Sequence, residues 1–128
     1  MKPTDFLNIA GRLPAQAITG STNTTSVDMQ LLRGVAAVCV VGAATTPPSF
    51  KIQSSADNST FADLTGKSIT SVAANSEGII NVRDEDLPDG HRWIRAAVNG
   101  NATVAVVFIG TSARNNPPAK LASTTIVD

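Results

Sequence analysis

The stretch His91-Arg92-Trp93-Ile94-Arg95-Ala96-Ala97-Val98-Asn99-Gly100-Asn101-Ala102-Thr103-Val104-Ala105-Val106-Val107-Phe108-Ile109 decides how the chain is read. Ile94, Ala96 and Val98 alternate with Trp93, Arg95 and Ala97, the period-two pattern of a strand with one face in a core. Residues 102–109 are apolar on both faces, as a strand covered on two sides would be. Asn99-Gly100 between them is a favoured hairpin dipeptide, since both residues accept positive φ. Two strands joined by a tight turn are expected.

Outward from this pair the same grammar repeats. Residues 24–31 alternate Val27, Met29 and Leu31 against Ser26, Asp28 and Gln30, and Gly34 then separates them from the all-apolar run 35–41. Thr45-Thr46-Pro47-Pro48 reads as a loop, because neither proline can donate to a ladder. Phe50, Ile52 and Ser54 alternate with Lys51, Gln53 and Ser55. Asp57-Asn58-Ser59 is a strong turn signal, and short strands follow at 61–64, 68–73 and 78–83, with an acidic turn at 84–90. No segment keeps a helical period over three turns. About eight strands at these intervals predict an all-β fold, a jelly-roll-like β-sandwich. The sandwich is placed at 24–110, with an N-terminal arm at 1–23 and a C-terminal arm at 111–128.

At 128 residues the chain is one domain by length. Ten basic and ten acidic side chains cancel, and the basic ones form no stripe, which argues against nucleic acid and anionic membranes as partners. No apolar run approaches the roughly 20 residues of a membrane helix. The start, Met1-Lys2-Pro3-Thr4-Asp5, leads into nothing resembling a secretion signal, so the three sequons at Asn23, Asn58 and Asn101 read as coincidence. A soluble protein made in the cytoplasm is expected. Charged residues are only 16% of the chain, against about 25% in an ordinary soluble domain, which suggests that neighbours cover some of the surface.

Chemistry has few candidates. Cys39 is the only cysteine and lies among valines, where a thiol is an inert hydrophobe. His91 is the only histidine, and no serine has the glycine-flanked elbow of a nucleophile. Asp84, Glu85, Asp86 and Asp89 offer oxygen ligands suited to calcium, but their spacing matches no EF-hand, Pro88 limits how the loop can curl, and a solvated turn explains them without an ion. Neither an enzymatic activity nor a cofactor is expected. Trp93 and Arg95 share the face opposite Ile94, where guanidinium–indole stacking and an interface role are expected; with the phase reversed, Trp93 is a core residue instead. Leu121 and Ile126, in the segment 121–127, would contact another chain if that segment adds an edge strand; otherwise it is a frayed tail.

Ser26-Val27-Asp28-Met29, Gly34-Val35-Ala36-Ala37-Val38, Phe50-Lys51-Ile52-Gln53-Ser54-Ser55-Ala56-Asp57-Asn58-Ser59-Thr60-Phe61-Ala62-Asp63-Leu64 and Arg92-Trp93-Ile94-Arg95 together resemble small virion proteins of tailed bacteriophages. That resemblance implies a jelly-roll head cement or decoration protein on the capsid surface, a homo-oligomer, typically a trimer, whose partner is the major capsid protein. The stretch ending Ser-Ala-Asp-Asn-Ser-Thr-Phe also resembles galactose-binding-like sandwiches, which implies a carbohydrate-binding module.

Overall fold

The computed structural model describes residues 7–111, and these form six antiparallel strands: β1 (Leu7–Asn23), β2 (Val27–Asp28), β3 (Gly34–Ser55), β4 (Ala62–Ile69), β5 (Glu77–Arg83) and β6 (Trp93–Thr111). The long strands β3 and β6 pair along their whole length at the centre. β1 flanks β6, with β2 continuing its edge, while β5 and β4 flank the first and second halves of β3.

The sheet does not run straight. β3 takes nine residues from Val41 to Phe50, where its partner takes six from Val104 to Val98, and the excess is spent in three register shifts. Such bulges bend a strand sharply. Two side-to-side clasps show how far. Ser68 of β4 and Asn81 of β5 are register partners of Lys51 and Ala36, which straight β3 would hold about 50 Å apart. Yet Lys67 donates to the Asn81 carbonyl at 2.8 Å and reaches Asp86 at 3.2 Å. On the other edge the Arg12 N–H donates to Thr25 Oγ1 at 3.1 Å, and the Thr25 N–H to the Arg12 carbonyl at 3.2 Å. At Gly11 a Cβ would lie 2.7 Å from Val27 Cγ2, so only glycine fits that closure.

The sheet is thus folded onto itself as a β-sandwich. The first layer is β5, the first half of β3, the second half of β6 and the start of β1; the second is β4 with the remaining halves and β2. One core fills the space between. Val35, Ala37, Cys39 and Val41 enter it from the first half of β3, Phe50 and Ile52 from the second, and Ile94 through Phe108 from β6. The inward set of β3 changes from odd to even numbers across the bulges, while that of β6 stays even throughout.

Four expectations change. Asn99-Gly100 is not a hairpin turn: β6 runs through it, pairing Gly100 with Gly20 and Asn99 with Ser49. Glycine is needed at 100 because the bent β3 presses there, and a Cβ would sit 2.7 Å from Pro48 Cα. The loop expected at 45–48 is likewise bulged strand, with Pro48 buried and its carbonyl accepting from the Val72 N–H at 2.8 Å. The N-terminal arm expected at 1–23 is, from Leu7 onward, strand β1, which supplies Leu13 and Ile18 to the core. Its register shifts, one of them at Pro14-Ala15, scatter the apolar residues and hide the period. The strand expected at 24–31 shrinks to β2 and a 3-10 turn, because Asp28 turns back to accept from the Gln30 N–H at 3.0 Å. The segment 112–128, with Leu121 and Ile126, lies outside the described residues.

Candidate functional site

The bend gives the molecule two outer faces of different chemistry. On the second layer, residues opposite one another in register form a line. Arg95 stands beside Gln53, and Gln53 beside Asp63. Arg95 Nε donates to Gln53 Oε1 at 2.9 Å, Gln53 Nε2 donates to Asp63 Oδ1 at 3.0 Å, and Lys51 Nζ reaches Asp63 Oδ2 at 3.0 Å. The Gln53 amide fits because its two ends face an obligate donor and an obligate acceptor. Its hydrogen bond, then that of Lys51, holds the Asp63 carboxyl below its ordinary range.

Aromatic rings border this line. The Arg95 guanidinium lies 4.1 Å from the Phe61 ring centroid, and Arg92 lies 5.1 Å from that of Trp93. Trp93 and Arg95 do share the outer face, half-buried, with Ile94 and Ala96 in the core. They do not stack on each other. Arg95 is drawn across the sheet to Gln53 and Phe61, and Trp93 takes Arg92, which is clamped on Asp28 by two hydrogen bonds of 2.8 and 2.6 Å. That clamp lowers the pKa of Asp28. Phe61 was legible in the sequence only as a strand residue, because nothing local says that Arg95 comes from 34 positions away to cover it.

The loop beside Phe61 is rigid by its own chemistry. Asp57 Oδ1 accepts from the backbone N–H of Thr60 and of Ser59, both at 2.9 Å, and from the Ser55 hydroxyl at 2.9 Å. The two backbone donors do most to bring its pKa to about 2. Asn58 adopts φ 59°, as turn asparagines readily do.

The outer face of the first layer is apolar. Val38 stands between Val107 and Ile79 in register, Val40 beside Ala105, and Ala36 beside Ile109, which is next to Ile9. Val40 is 51% exposed and Ile79 56%. Arg12 marks its β1 edge, and Glu77, Asn81 and Arg83 stand outward along its β5 edge.

The other candidates go elsewhere. Cys39 is fully buried, and burial raises its thiol pKa to about 11. Ser54 Oγ lies 2.8 Å from His91 Nδ1, a pairing the sequence did not suggest. Ser54 is a core-facing residue 1% exposed, so the bond satisfies a buried hydroxyl and leaves it shielded from any substrate. His91, Arg92, Met29, Gln30, Asp84 and Leu87 line a depression of about 240 Å³. In the acidic turn, Asp86 accepts from the Arg83 N–H at 2.8 Å and pairs with Lys67, while Glu85 pairs with Arg83 at 3.1 Å. Among the described residues no three His, Cys, Asp or Glu side chains gather as metal ligands would.

No protein-family model matches the chain, and no curated protein matches it significantly. Several solved structures are similar, two of them as follows. One is TmCBM61 in complex with β-1,4-galactotriose, at 10% identity and a TM-score of 0.45, covering 78% of this chain and 69% of that one. The other is CBM86, a low-affinity xylan-binding module from Roseburia intestinalis, at 18% identity and a TM-score of 0.40, covering 87% and 92%.

Proposed function

We propose that the chain is a non-catalytic binding module that holds a carbohydrate on the outer face of its second layer. The observation that carries this reading is the cross-strand line Phe61–Arg95–Gln53–Asp63–Lys51 beside Trp93. A pyranose ring has an apolar C–H face and a rim of hydroxyls. It therefore suits a surface where aromatic rings adjoin planar side chains with paired donors and acceptors. Arg95, Gln53 and Asp63 supply such pairs at strand spacing, already oriented by one another, which limits the ordering cost of binding. The face is open along the strands, so an internal stretch of a polysaccharide fits it better than an enclosed small molecule does.

A glycan array followed by calorimetric titration tests the reading. Saturable binding to one glycan class is expected, with Trp93→Ala or Arg95→Ala weakening it about tenfold or more, the loss typical of an anchor residue. Blank arrays, or binding unchanged in a correctly folded Trp93→Ala protein, would remove the reading.

A second reading has the apolar face of the first layer in its favour: a structural subunit of a tailed-phage head, docked on the major capsid protein. It requires a sugar-blind trimer, which light scattering beside the array distinguishes, and co-sedimentation with capsids.

A further inference from the structure

We infer that the outer face of the first layer is the interface of a twofold symmetric homodimer, in which two copies pack sheet on sheet. Among the described residues nothing covers Val40 and Ile79, and with Val38 and Val107 they form a contiguous apolar surface across β5, β3 and β6. Isolated apolar residues on a surface are ordinary, but a contiguous sheet face is costly to leave in water.

The charges at its rim identify the occupant. Arg12 lies on the β1 edge in the row of Val38, and Glu77 lies on the β5 edge in the next row, that of Val40. Among the described residues neither makes an ion pair. A twofold axis in the interface plane, parallel to the strands, exchanges the two edges and preserves the rows. It places Arg12 of each copy one row from Glu77 of the other, about 7 Å along the strand, within reach of the two side chains. Two equivalent ion pairs then flank one apolar centre, the self-complementarity that a twofold interface demands. A partner of uniform charge would leave one edge repelled.

The face spans roughly 400 Å² per copy from strand spacing and rise, or about 800 Å² for the pair. That is below the roughly 1,200–2,000 Å² of stable specific interfaces, so the dimer is weak and reversible rather than obligate. This inference is independent of the carbohydrate reading, because the two faces belong to different layers.

Sedimentation equilibrium of the full chain across about 1–200 μM is the test. A monomer–dimer equilibrium is expected. Ile79→Lys, at an exposed position, should raise the dissociation constant at least tenfold, with the thermal midpoint unchanged at a concentration where both proteins are monomeric. Arg12→Glu and Glu77→Arg should each weaken association several-fold, and the double exchange should restore it. A monomer at every concentration, a trimer, or a dimer indifferent to both Ile79→Lys and the charge exchange overturns the inference.

Discussion

The two outer faces are made by the same pair of strands. Before its bend β3 shows Ala36, Val38 and Val40 to the outside, and after it Lys51 and Gln53; β6 shows Trp93, Arg95 and Ala97, and later Ala105, Val107 and Ile109. Inside, the difference disappears. Both halves send small and branched apolar residues into one core. The inward residues hold the folded-over sheet together, and the outward ones are free to take a wet, aromatic surface on one layer and a dry one on the other. Function in such a sheet is a property of half a strand.

If both layers depend equally on the shared core, equal damage to either should be felt by the whole. Phe108 in the first layer and Phe50 in the second are each fully buried. Truncating either to alanine should cost about 3–5 kcal/mol, the range for removing a packed aromatic ring. Chemical denaturation followed by Trp93 fluorescence and by circular dichroism should show one coincident transition in both variants. Separate transitions would mean that the layers are distinct units, and the comparison of their outer faces would lose its common foundation.

The bend is the next place to press. Gly100→Ala puts a methyl group within 2.7 Å of Pro48 Cα and 2.9 Å of the Thr46 carbonyl, both backbone positions that cannot rotate away. A cost of about 1–3 kcal/mol is expected, as for other overpacked sites, measured by the same denaturation. A neutral substitution would show that β3 does not press on β6 there, and that the two layers are not hinged at Gly100.

That hinge also explains what was legible in the sequence. Each strand-length stretch with a clean period was visible: Ile94-Ala96-Val98, Phe50-Ile52, Val35 to Val41. So was the turn at Asp57. The eight expected strand-like segments are six strands in the structure: those expected at 61–64 and 68–73 are one strand, β4, and β1 went unread. What stayed hidden is whatever depends on the bend. Gly100 and the Thr45–Pro48 region carry turn-forming residues for close approach and bulging rather than for reversal, and local grammar cannot separate those uses. β1 was obscured because each bulge moves the apolar residues to the other parity, as from Leu13 to Ile18. At the candidate site, the outward phase of Trp93 and Arg95 followed from alternation. Their partners Phe61, Gln53 and Asp28 did not, since those contacts join segments tens of residues apart.

The smallest effect concerns only the second layer. Asp57 secures the loop leading to Phe61, and hydrogen bonds from Thr60, Ser59 and Ser55 favour its charged form, so its pKa of about 2 lies below the ordinary value of 3.8. A carboxylate depressed in the folded state adds stability that is complete above the unfolded value and is lost as pH falls through the folded one. Asp57→Ala should therefore lower the thermal midpoint by a constant amount above pH about 4, and the gap from the wild-type protein should close as pH approaches 2. Glycan binding beside Phe61 should weaken as that gap narrows. A gap that stays constant down to pH 2 would show that the loop is held by its backbone alone and that Asp57 does not brace the aromatic border of the site.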